Sequence, residues 1–572
     1  MILLTASPLT ASLLRFLALI LFLGPWSSHA TSPSVELNGT TVTGTAHKFT
    51  DNLTVEFYGG IPFAKPPVGE LRFAPPVEIN GIGVSAFDAT KFGAPCVQSG
   101  VEGVSEDCLT LNIFRPSESV LSNEDAAPVM VWISGLGFME GVSSTFNASQ
   151  IIMRSIQRGT PVVYVSINYR LGPFGFPQGS EADSLGSLNL GLKDQLAAIS
   201  WVQKYIGAFG GDPTKITLFG QSAGSMSIAT LYLNAGLENY GVRGAIMESG
   251  FAGSLPSIDA SRGDLLWDAF AANVTVCAGV FRGSTFSCLR NATADALLSS
   301  WEAAVEAIPD LFHFVPVIDG PGGLLPDVPS NLLAAGNFSR IPFIAGTVVD
   351  EGTDFVPRQI SSDLQYPEFV LIAEDPFPEV VTPDFQVSVG TLIALYPDDP
   401  AAGSPFGTGN ETFGLSSQYK RASAMYGDVS FQAVRRRWIE AATAAGVTAY
   451  GYVFADQNVA VADPSKGVYH ASEVPYIYDS QSVVGTNQES GRVSLAMVDH
   501  WLSFVVSGTP NDGKGSGRTT WPQYTPDNQV LIQFDTTNLL ANSSNATFAV
   551  VADDYRAQQI SAINSVAAAL GS

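Results

Sequence analysis

The chain has 572 residues, of which 46% are hydrophobic and 14% charged, and its formal net charge at pH 7 is −25. This composition excludes an intrinsically disordered protein, because enough apolar side chains are present to build a large core. The acidity also argues against nucleic-acid partners, since phosphate groups are bound by Lys and Arg and would be repelled by this chain.

The first thirty residues have the pattern of a secretory signal peptide. One basic residue, Arg15, precedes the apolar run 16–23, and the small residues Ser28 and Ala30 follow it. We expect cleavage near Ala30. A membrane anchor is the alternative, but the apolar run is shorter than the about 20 residues needed to span a bilayer.

Sequons and cysteines also predict a secreted, extracellular protein. Nine asparagines are candidate glycosylation sites, at Asn38, Asn52, Asn147, Asn273, Asn291, Asn337, Asn410, Asn542 and Asn545. The four cysteines lie in two local pairs, Cys96 with Cys108 and Cys277 with Cys288. In an oxidising compartment these are the natural disulfides, although the sequence permits three connectivities. Metal binding is the weaker interpretation, because no His lies near either pair at ligand spacing.

Residues 31–572 show no linker, charge block or repeat that would mark a boundary, so we expect one large elaborated domain. Short apolar runs recur at residues 128–134, 161–169, 215–220, 244–249, 341–349 and 448–454. Runs that are apolar throughout are typical of strands covered on both faces. Helical patterns such as residues 188–206 lie between them, and this alternation predicts an α/β fold with a mostly parallel central sheet flanked by helices.

The pentapeptide Gly-Gln-Ser-Ala-Gly at 220–224 is the first candidate for chemistry. By itself such a pattern is weak, since an ordinary glycine-rich turn can contain it. Here a strand pattern precedes it and a helix pattern follows, which is the context that exposes a nucleophilic serine above a sheet. The interpretation therefore favours Ser222 as a nucleophile.

A nucleophilic serine needs a histidine base, and the chain has five: His29, His47, His313, His470 and His500. His29 leaves with the signal peptide, while His47 and His313 do not fit the expected chain order of nucleophile, acid and histidine. His500 lies in a helical pattern typical of a core or surface histidine. His470 remains, in a loop-like segment after the strand pattern 448–454.

The acid that orients the histidine should follow a strand between Ser222 and His470. Asp350 and Glu351 both satisfy this condition, and residue chemistry does not choose between them. The glycine-rich segment at 135–137 follows another strand pattern, so the amides of Gly135, Leu136 and Gly137 are candidates for binding an oxyanion.

Together these residues resemble the type-B carboxylesterase/lipase family of α/β-hydrolases, which includes cholinesterases and secreted fungal esterases and lipases. The similarity runs nearly end to end. Its motifs are YGGIPFAKPPVGELRFAPP at 58–76, SEDCLTLNIFRP at 105–116, VSINYRLGPFGF at 165–176, FGGDPTKITLFGQSAGS at 209–225, DEGT at 350–353 and GVYHASEVPY at 467–476. The resemblance implies an α/β-hydrolase fold and a serine ester hydrolase that uses no metal or organic cofactor.

The resemblance also assigns roles to individual residues. It implies Ser222 as nucleophile, Glu351 as acid and His470 as base. The amides of Leu136, Gly137 and Ala223 become the oxyanion hole. The same two disulfides are implied, as is a structural ion pair between Arg72 and Glu106.

Three departures from the family pattern bear on substrate choice. Leu136 stands where the family usually has glycine, and its Cβ restricts the backbone and crowds the acyl side. Gln221 replaces the more usual Glu, and the eleven residues between Cys96 and Cys108 contain no aromatic ring. Both changes disfavour choline esters. The shortness and polarity of the same segment disfavour docking on oil surfaces.

The sequence therefore predicts a secreted carboxylic-ester hydrolase that forms an acyl-enzyme and acts on small-molecule esters, soluble or of modest length. A lipase acting on triglycerides or sterol esters is the alternative within this chemistry. A non-catalytic, neuroligin-like binding protein is the alternative of another class. The presence of Ser222, Glu351 and His470 argues against it.

Overall fold

The computed structural model describes residues 32–50, 53–121, 125–374, 382–461, 463–478, 487–537 and 548–572. The expected signal peptide and the candidate glycosylation sites Asn52, Asn542 and Asn545 lie outside these residues. The strands are β1 (Ser34–Leu37), β2 (Thr40–Thr43), β3 (Thr45–Thr50), β4 (Leu53–Pro62), β5 (Ala86–Asp88), β6 (Thr110–Pro116), β7 (Ala127–Ile133), β8 (Val163–Ile167), β9 (Gly211–Gln221), β10 (Val242–Glu248), β11 (Phe343–Val348), β12 (Ala449–Phe454), β13 (Val530–Phe534) and β14 (Ala549–Ala552).

Within the described part of the chain, eleven of these strands form one sheet in the order β14-β13-β12-β11-β10-β9-β7-β8-β6-β4-β3. The strands from β8 to β13 in this order pair in parallel, and the antiparallel pairs lie toward the two edges. Strands β8, β11 and β12 are buried along their whole length, as their apolar sequences predict. Strands β1, β2 and β5 form a small separate sheet.

Helices cover both faces of the large sheet, and buried apolar clusters lie on each side of it. The helices are Glu118–Leu121, Ser149–Gln157, Gly172–Gly175, Gly179–Ser184, Leu190–Tyr205, Ala223–Asn234, Asp264–Asn273, Thr285–Leu289, Ala294–Ala307, Pro329–Ala334, Gln365–Glu374, Pro383–Leu395, Ser417–Gly427, Ala433–Ala444, Val474–Tyr478, Gln488–Ser507 and Ala557–Ser565. The molecule is a single α/β domain with an α/β-hydrolase architecture, so the expected fold class is confirmed.

The strand register aligns the carboxyl ends of the central strands with one another. Ile133 at the end of β7 pairs with Gly220, and Gln221 at the end of β9 pairs with Glu248 at the end of β10. In parallel sheets, loops that leave this carboxyl edge carry ligand sites. The candidate residues that follow β7, β9 and β11 therefore lie together at the carboxyl ends of these strands.

Candidate active site

Ser222 occupies a sharp turn between β9 and the helix Ala223–Asn234. Its backbone has φ 55° and ψ −129°, a conformation that residues with a Cβ rarely adopt. The Ser222 N–H donates to the carbonyl of Glu248 at 2.9 Å, which fixes the turn to the end of β10. The side chain is half-buried at the edge of the sheet, while its neighbours Gln221 and Ala223 are buried.

Glycines on either side allow this turn to pack against β7. A Cβ added at Gly224 would lie only 2.0 Å from the carbonyl oxygen of Ile133. A Cβ at Gly220 would lie 2.8 Å from the carbonyl carbon of Gly224. Both atoms belong to the backbone, which cannot move aside as a side chain can. The two glycines of the pentapeptide are therefore required by close backbone approach.

The structure brings His470 to Glu351, as the resemblance predicted. His470 Nδ1 lies 2.6 Å from Glu351 Oε2, and Glu351 Oε1 accepts the N–H of Val348 at 2.9 Å. Glu351 is 1% exposed and His470 is 9% exposed, so water does not compete for this contact. When Nδ1 carries the proton and donates to Glu351, Nε2 is left as the acceptor.

The second imidazole nitrogen, His470 Nε2, contacts the side chain of Gln221. It lies 3.2 Å from the side-chain nitrogen of Gln221, the residue that precedes Ser222. In the tautomer above, the Gln221 amide donates to Nε2. Gln221 is buried, and a Cβ at Gly135 would come within 3.3 Å of its Oε1. A neutral amide thus occupies the place where the family usually has a carboxylate.

The charges around His470 favour its protonated form. Burial lowers the pKa of the imidazole, but the Glu351 carboxylate, with smaller contributions from Glu473 and Asp354, outweighs this effect. The net result is a pKa raised above the ordinary value of histidine. An imidazolium formed next to Glu351 is therefore stabilised.

Asp350 and Glu351 occupy different places. Asp350 Oδ1 accepts from Ser404 Oγ and the Phe406 N–H, each at 2.8 Å, and Oδ2 accepts from the Val468 N–H at 2.9 Å. Burial raises the pKa of Asp350 to about 6, in opposition to these bonds. Asp350 thus connects its own loop to the segment that carries His470, while Glu351 alone of the two contacts the imidazole.

The segment that follows β7, residues 135–138, lies directly against Ser222, and we call it the β7 turn. A Cβ at Gly135 would lie 3.0 Å from the Cβ of Ser222. Leu136, Gly137 and Phe138 all have positive φ, at 77°, 67° and 64°. The amides predicted to bind an oxyanion therefore belong to a left-handed turn beside Ser222, and the amide of Ala223 opens the adjacent helix.

Aromatic side chains around the site were not identified from the sequence. The rings of Phe431 and Phe355 lie 4.8 and 5.0 Å from the imidazole of His470. Phe312 lies against Gly137, where an added Cβ would be 2.9 Å from its Cε1. Phe312 also lines a narrow apolar cavity with Leu255, Leu311, Phe314, Val315 and Ala373. In the sequence, the contacts of Phe312 were indicated by the aromatic segment LFHFVP at 311–316. Apolar runs of this kind usually belong to the core, so the segment did not stand out.

Two buried glutamates behind the histidine were also missed. Glu248 accepts from Trp501 Nε1 at 2.7 Å, and Glu473 accepts from Ser249 Oγ at 3.4 Å. Burial and the negative charges of neighbouring carboxylates raise the pKa of both groups, that of Glu473 to about 7. In the sequence, Glu248 ends an apolar strand pattern and Glu473 lies three residues after His470. These two positions could have indicated carboxyl groups near the site.

The remaining predicted pairs are present. Disulfides join Cys96 to Cys108 and Cys277 to Cys288. The Arg72 guanidinium donates to both carboxylate oxygens of Glu106, so Glu106 is engaged away from His470. The asparagines of the six sequons inside the described ranges, Asn38, Asn147, Asn273, Asn291, Asn337 and Asn410, are all exposed.

Neither a metal-binding cluster nor a membrane-spanning helix is present among the residues that the structure describes. No three of their His, Cys, Asp or Glu side chains are grouped closely enough to hold a metal ion. None of their helices combines the length and apolar character that crossing a bilayer requires.

Comparison with known proteins agrees with this architecture. The sequence model described as "Carboxylesterase family" matches residues 31–550. "Secreted lipase 1" of Botryotinia fuckeliana is 33% identical over 84% of this chain and 85% of its own. "Lipase 2" of Geotrichum candidum is 30% identical over 89% and 91% of the two chains. The crystal structure of EstA from Aspergillus niger has a TM-score of 0.77 and 25% identity, and the alignment covers 94% of this chain and 99% of EstA.

Proposed function

The chain belongs to the carboxylesterase family and is a carboxylic-ester hydrolase acting on small esters, and from this premise we propose that Ser222, His470 and Glu351 form its catalytic triad. The observation that carries the proposal is the 2.6 Å contact from Glu351 to His470 Nδ1, together with the 3.2 Å contact from His470 Nε2 to Gln221, the neighbour of Ser222. A base-activated serine needs an acid on one imidazole nitrogen and the serine hydroxyl on the other, and the proposal assigns that second place to Ser222 once the Gln221 amide moves aside.

The reaction proceeds in two halves. Ser222 Oγ attacks the acyl carbon while Nε2 of His470 takes the hydroxyl proton, with the Gln221 amide displaced from that nitrogen. The imidazolium then gives the proton to the departing alcohol, leaving an acyl-enzyme. Water attacks the acyl carbon, His470 takes one of its protons and returns it to Ser222, and the acid leaves. The Glu351 carboxylate stabilises the imidazolium in both halves.

The oxyanion is bound by backbone donors. We assign this role to the N–H groups of Leu136, Gly137 and Ala223, because donors that are fixed before substrate arrives stabilise the developing negative charge. The close packing of Gly135 against Ser222 supports this assignment. Leu136 also places a side chain that is 37% exposed beside the acyl group.

Site shape and charge favour neutral esters of modest length. Gln221 supplies no negative charge, and the Cys96–Cys108 segment supplies no aromatic ring, so choline esters are disfavoured. Hydrolysis of triglycerides or sterol esters is the second candidate, because the two fungal relatives above are named lipases.

We further propose that the protein is secreted after removal of residues 1–30, with residues 31–572 as the mature catalytic domain. Two disulfides and the exposed sequon asparagines support an extracellular location and glycosylation. The net charge of −25 supports neither nucleic-acid binding nor a stable attachment to anionic membranes.

Fluorophosphonate labelling tests the triad. The wild-type enzyme should incorporate one label, whereas Ser222→Ala should incorporate none and lose about 10⁴-fold or more in kcat, because the nucleophile is missing. Ser225→Ala is a matched control for loss of a serine hydroxyl, since Ser225 lies on the same helix and donates to the carbonyl of Gly250. Undiminished labelling of Ser222→Ala would contradict the assignment, and an unlabelled wild type would favour the binding-protein alternative.

Substrate preference is tested with p-nitrophenyl esters of increasing chain length against a triglyceride emulsion. We expect the highest kcat/KM on the short soluble esters and no rise in rate when the emulsion forms an interface. Strong activation at the interface would favour the lipase candidate instead.

A further inference from the structure

The β7 turn contains three consecutive residues in the left-handed region, Leu136, Gly137 and Phe138. Gly137 adopts this conformation freely, but Leu136 and Phe138 have a Cβ that collides with the following carbonyl. Such residues persist only where the surrounding structure fixes them, and they are concentrated at functional sites. The contacts that fix this turn therefore bear on the positions of its amides.

The side chain of Gln98 binds Gly141, which lies three residues beyond the end of the β7 turn. Its Oε1 accepts the Gly141 N–H at 2.9 Å, and its Nε2 donates to the Gly141 carbonyl at 3.0 Å. The same Nε2 donates to the Cys96 carbonyl at 3.0 Å. Gln98 is 1% exposed, so no water replaces these bonds. One buried amide thus holds both polar groups of Gly141 and anchors them beside the disulfide.

Gly141 in turn contacts the start of the β7 turn. A Cβ added there would lie 3.1 Å from Ser134 Oγ and 3.3 Å from the carbonyl oxygen of Gly135. The carbonyl of Leu136 accepts the N–H of Glu140 at 3.2 Å, which links the two ends of the loop. A shift of Gly141 is therefore transmitted to the peptide groups next to Leu136.

Two other bonds hold the loop at different points. The Tyr169 hydroxyl donates to the Ser134 carbonyl at 2.8 Å, and the Gly172 N–H donates to the Phe138 carbonyl at 2.9 Å. These contacts fix the carbonyls on either side of the turn. Beyond Gly141, the Ser143 N–H donates to Asn168 Oδ1 at 3.3 Å, and Gln98 is the side chain that binds Gly141 itself.

We infer that Gln98 is a positioning residue for the oxyanion hole, holding the left-handed β7 turn so that the Leu136 and Gly137 amides face the reacting carbonyl oxygen; this rests on the proposed function. Without Gln98, relaxation of Leu136 and Phe138 toward right-handed φ rotates the adjacent peptide planes. Donors aimed at an oxyanion contribute to the rate only when they are already aligned.

Gln98→Met tests the inference, because methionine has a similar length but makes none of the three hydrogen bonds. On a short p-nitrophenyl ester we expect kcat to fall about 10- to 100-fold with KM within about twofold of wild type, the signature of a contact made in the transition state. Ser222 converts a trifluoromethyl ketone to a tetrahedral adduct that carries an oxyanion. The affinity of the variant for this inhibitor should fall in proportion to its kcat/KM.

Ser99→Ala is the matched control. Ser99 follows Gln98 and donates to Glu302 Oε1 at 2.7 Å, an exposed contact remote from the β7 turn. We expect kcat, KM and ketone affinity to remain within about twofold of wild type. An equal loss in this variant would indicate general loosening of the segment and overturn the specific role of Gln98.

A double variant separates positioning from general stability. Leu136→Gly removes a Cβ from the left-handed turn, so Gln98→Met should cost less in that background than in wild type. Equal losses in both backgrounds would overturn the inference, as would a Gln98→Met enzyme with unchanged kcat and ketone affinity.

If Gln98→Met is not secreted in folded form, Gln98→Glu serves instead. It keeps the acceptor for the Gly141 N–H and removes the donors, so we expect a loss of kcat with little change in KM. Unchanged kcat in that variant overturns the inference. Absence of labelling in the wild type would refute the proposed function itself, which distinguishes the two failures.

Discussion

The two halves of the site are built from different parts of the chain. The proposed proton-transfer half consists of the side chains of Ser222, Glu351 and His470, which lie on loops and turns that follow strands of the large sheet. The proposed oxyanion half consists of backbone N–H groups of the β7 turn, and side chains from other segments, Gln98 and Tyr169 among them, bind residues on either side of that turn. Residue identity therefore matters most in the first half, and backbone conformation matters most in the second.

Both halves contain residues at positive φ that have a Cβ, but they hold them in different ways. Ser222 is fixed by β9, by the helix that follows and by the Glu248 carbonyl. Leu136 and Phe138 belong to an irregular loop. The comparison predicts that changes in the Ser222 turn are tolerated less than changes in the β7 turn.

Gly224→Ala should have the largest effect. Its new Cβ would lie 2.0 Å from the Ile133 carbonyl oxygen, so the helix and Ser222 must move relative to β7. We expect kcat to fall more than about 10³-fold, because a displaced nucleophile loses the alignment on which the triad depends. Fluorophosphonate labelling rates measure the loss. Activity within tenfold of wild type would show that this turn is not rigid.

Glu351→Gln should have a smaller effect that is specific to the proton relay. The Val348 N–H binds the side-chain oxygen, which leaves the amide NH₂ facing Nδ1 and favours the tautomer with a proton on Nε2. That tautomer cannot accept the Ser222 proton, so we expect kcat to fall about 10²- to 10³-fold.

The pH profile of the same variant gives a second measurement. His470 must be neutral to act as a base, and the Glu351 carboxylate raises its pKa. Removing that charge lowers the pKa, so the acidic limb of kcat/KM should move to lower pH. A limb that stays in place would show that Glu351 does not control His470.

Gly137→Ala should have the smallest effect of the three. The new Cβ meets the Phe312 ring, which can rotate, and the added strain at φ 67° is that of a single residue. We expect kcat to fall about 10-fold with the Ser222 labelling site retained, since the N–H itself remains. A loss as large as that of Gly224→Ala would contradict the difference between the two turns.

Much of the fold followed from the sequence. The apolar runs at 341–349 and 448–454 became the buried strands β11 and β12, because a strand covered on both faces admits few polar residues. The helix predicted over 188–206 spans Leu190–Tyr205. Gly224 lies in a motif whose spacing already implied close approach of strand and helix.

The sequence alone identified Ser222 and His470 as candidates, because few residue types perform this chemistry and the chain has only five histidines. It left Asp350 and Glu351 equivalent until the family resemblance was considered. Tertiary structure separated them, since adjacent residues point in different directions and only Glu351 reaches the imidazole.

Tertiary structure also decided the support of the site. Gln98 meets Gly141 across 43 residues, and Phe431 meets His470 from a distant helical segment. A buried glutamine or phenylalanine has no local pattern that distinguishes such a contact from ordinary core packing. Strand periodicity and catalytic chemistry are local properties of a sequence, whereas the alignment of backbone donors depends on segments that meet only after folding.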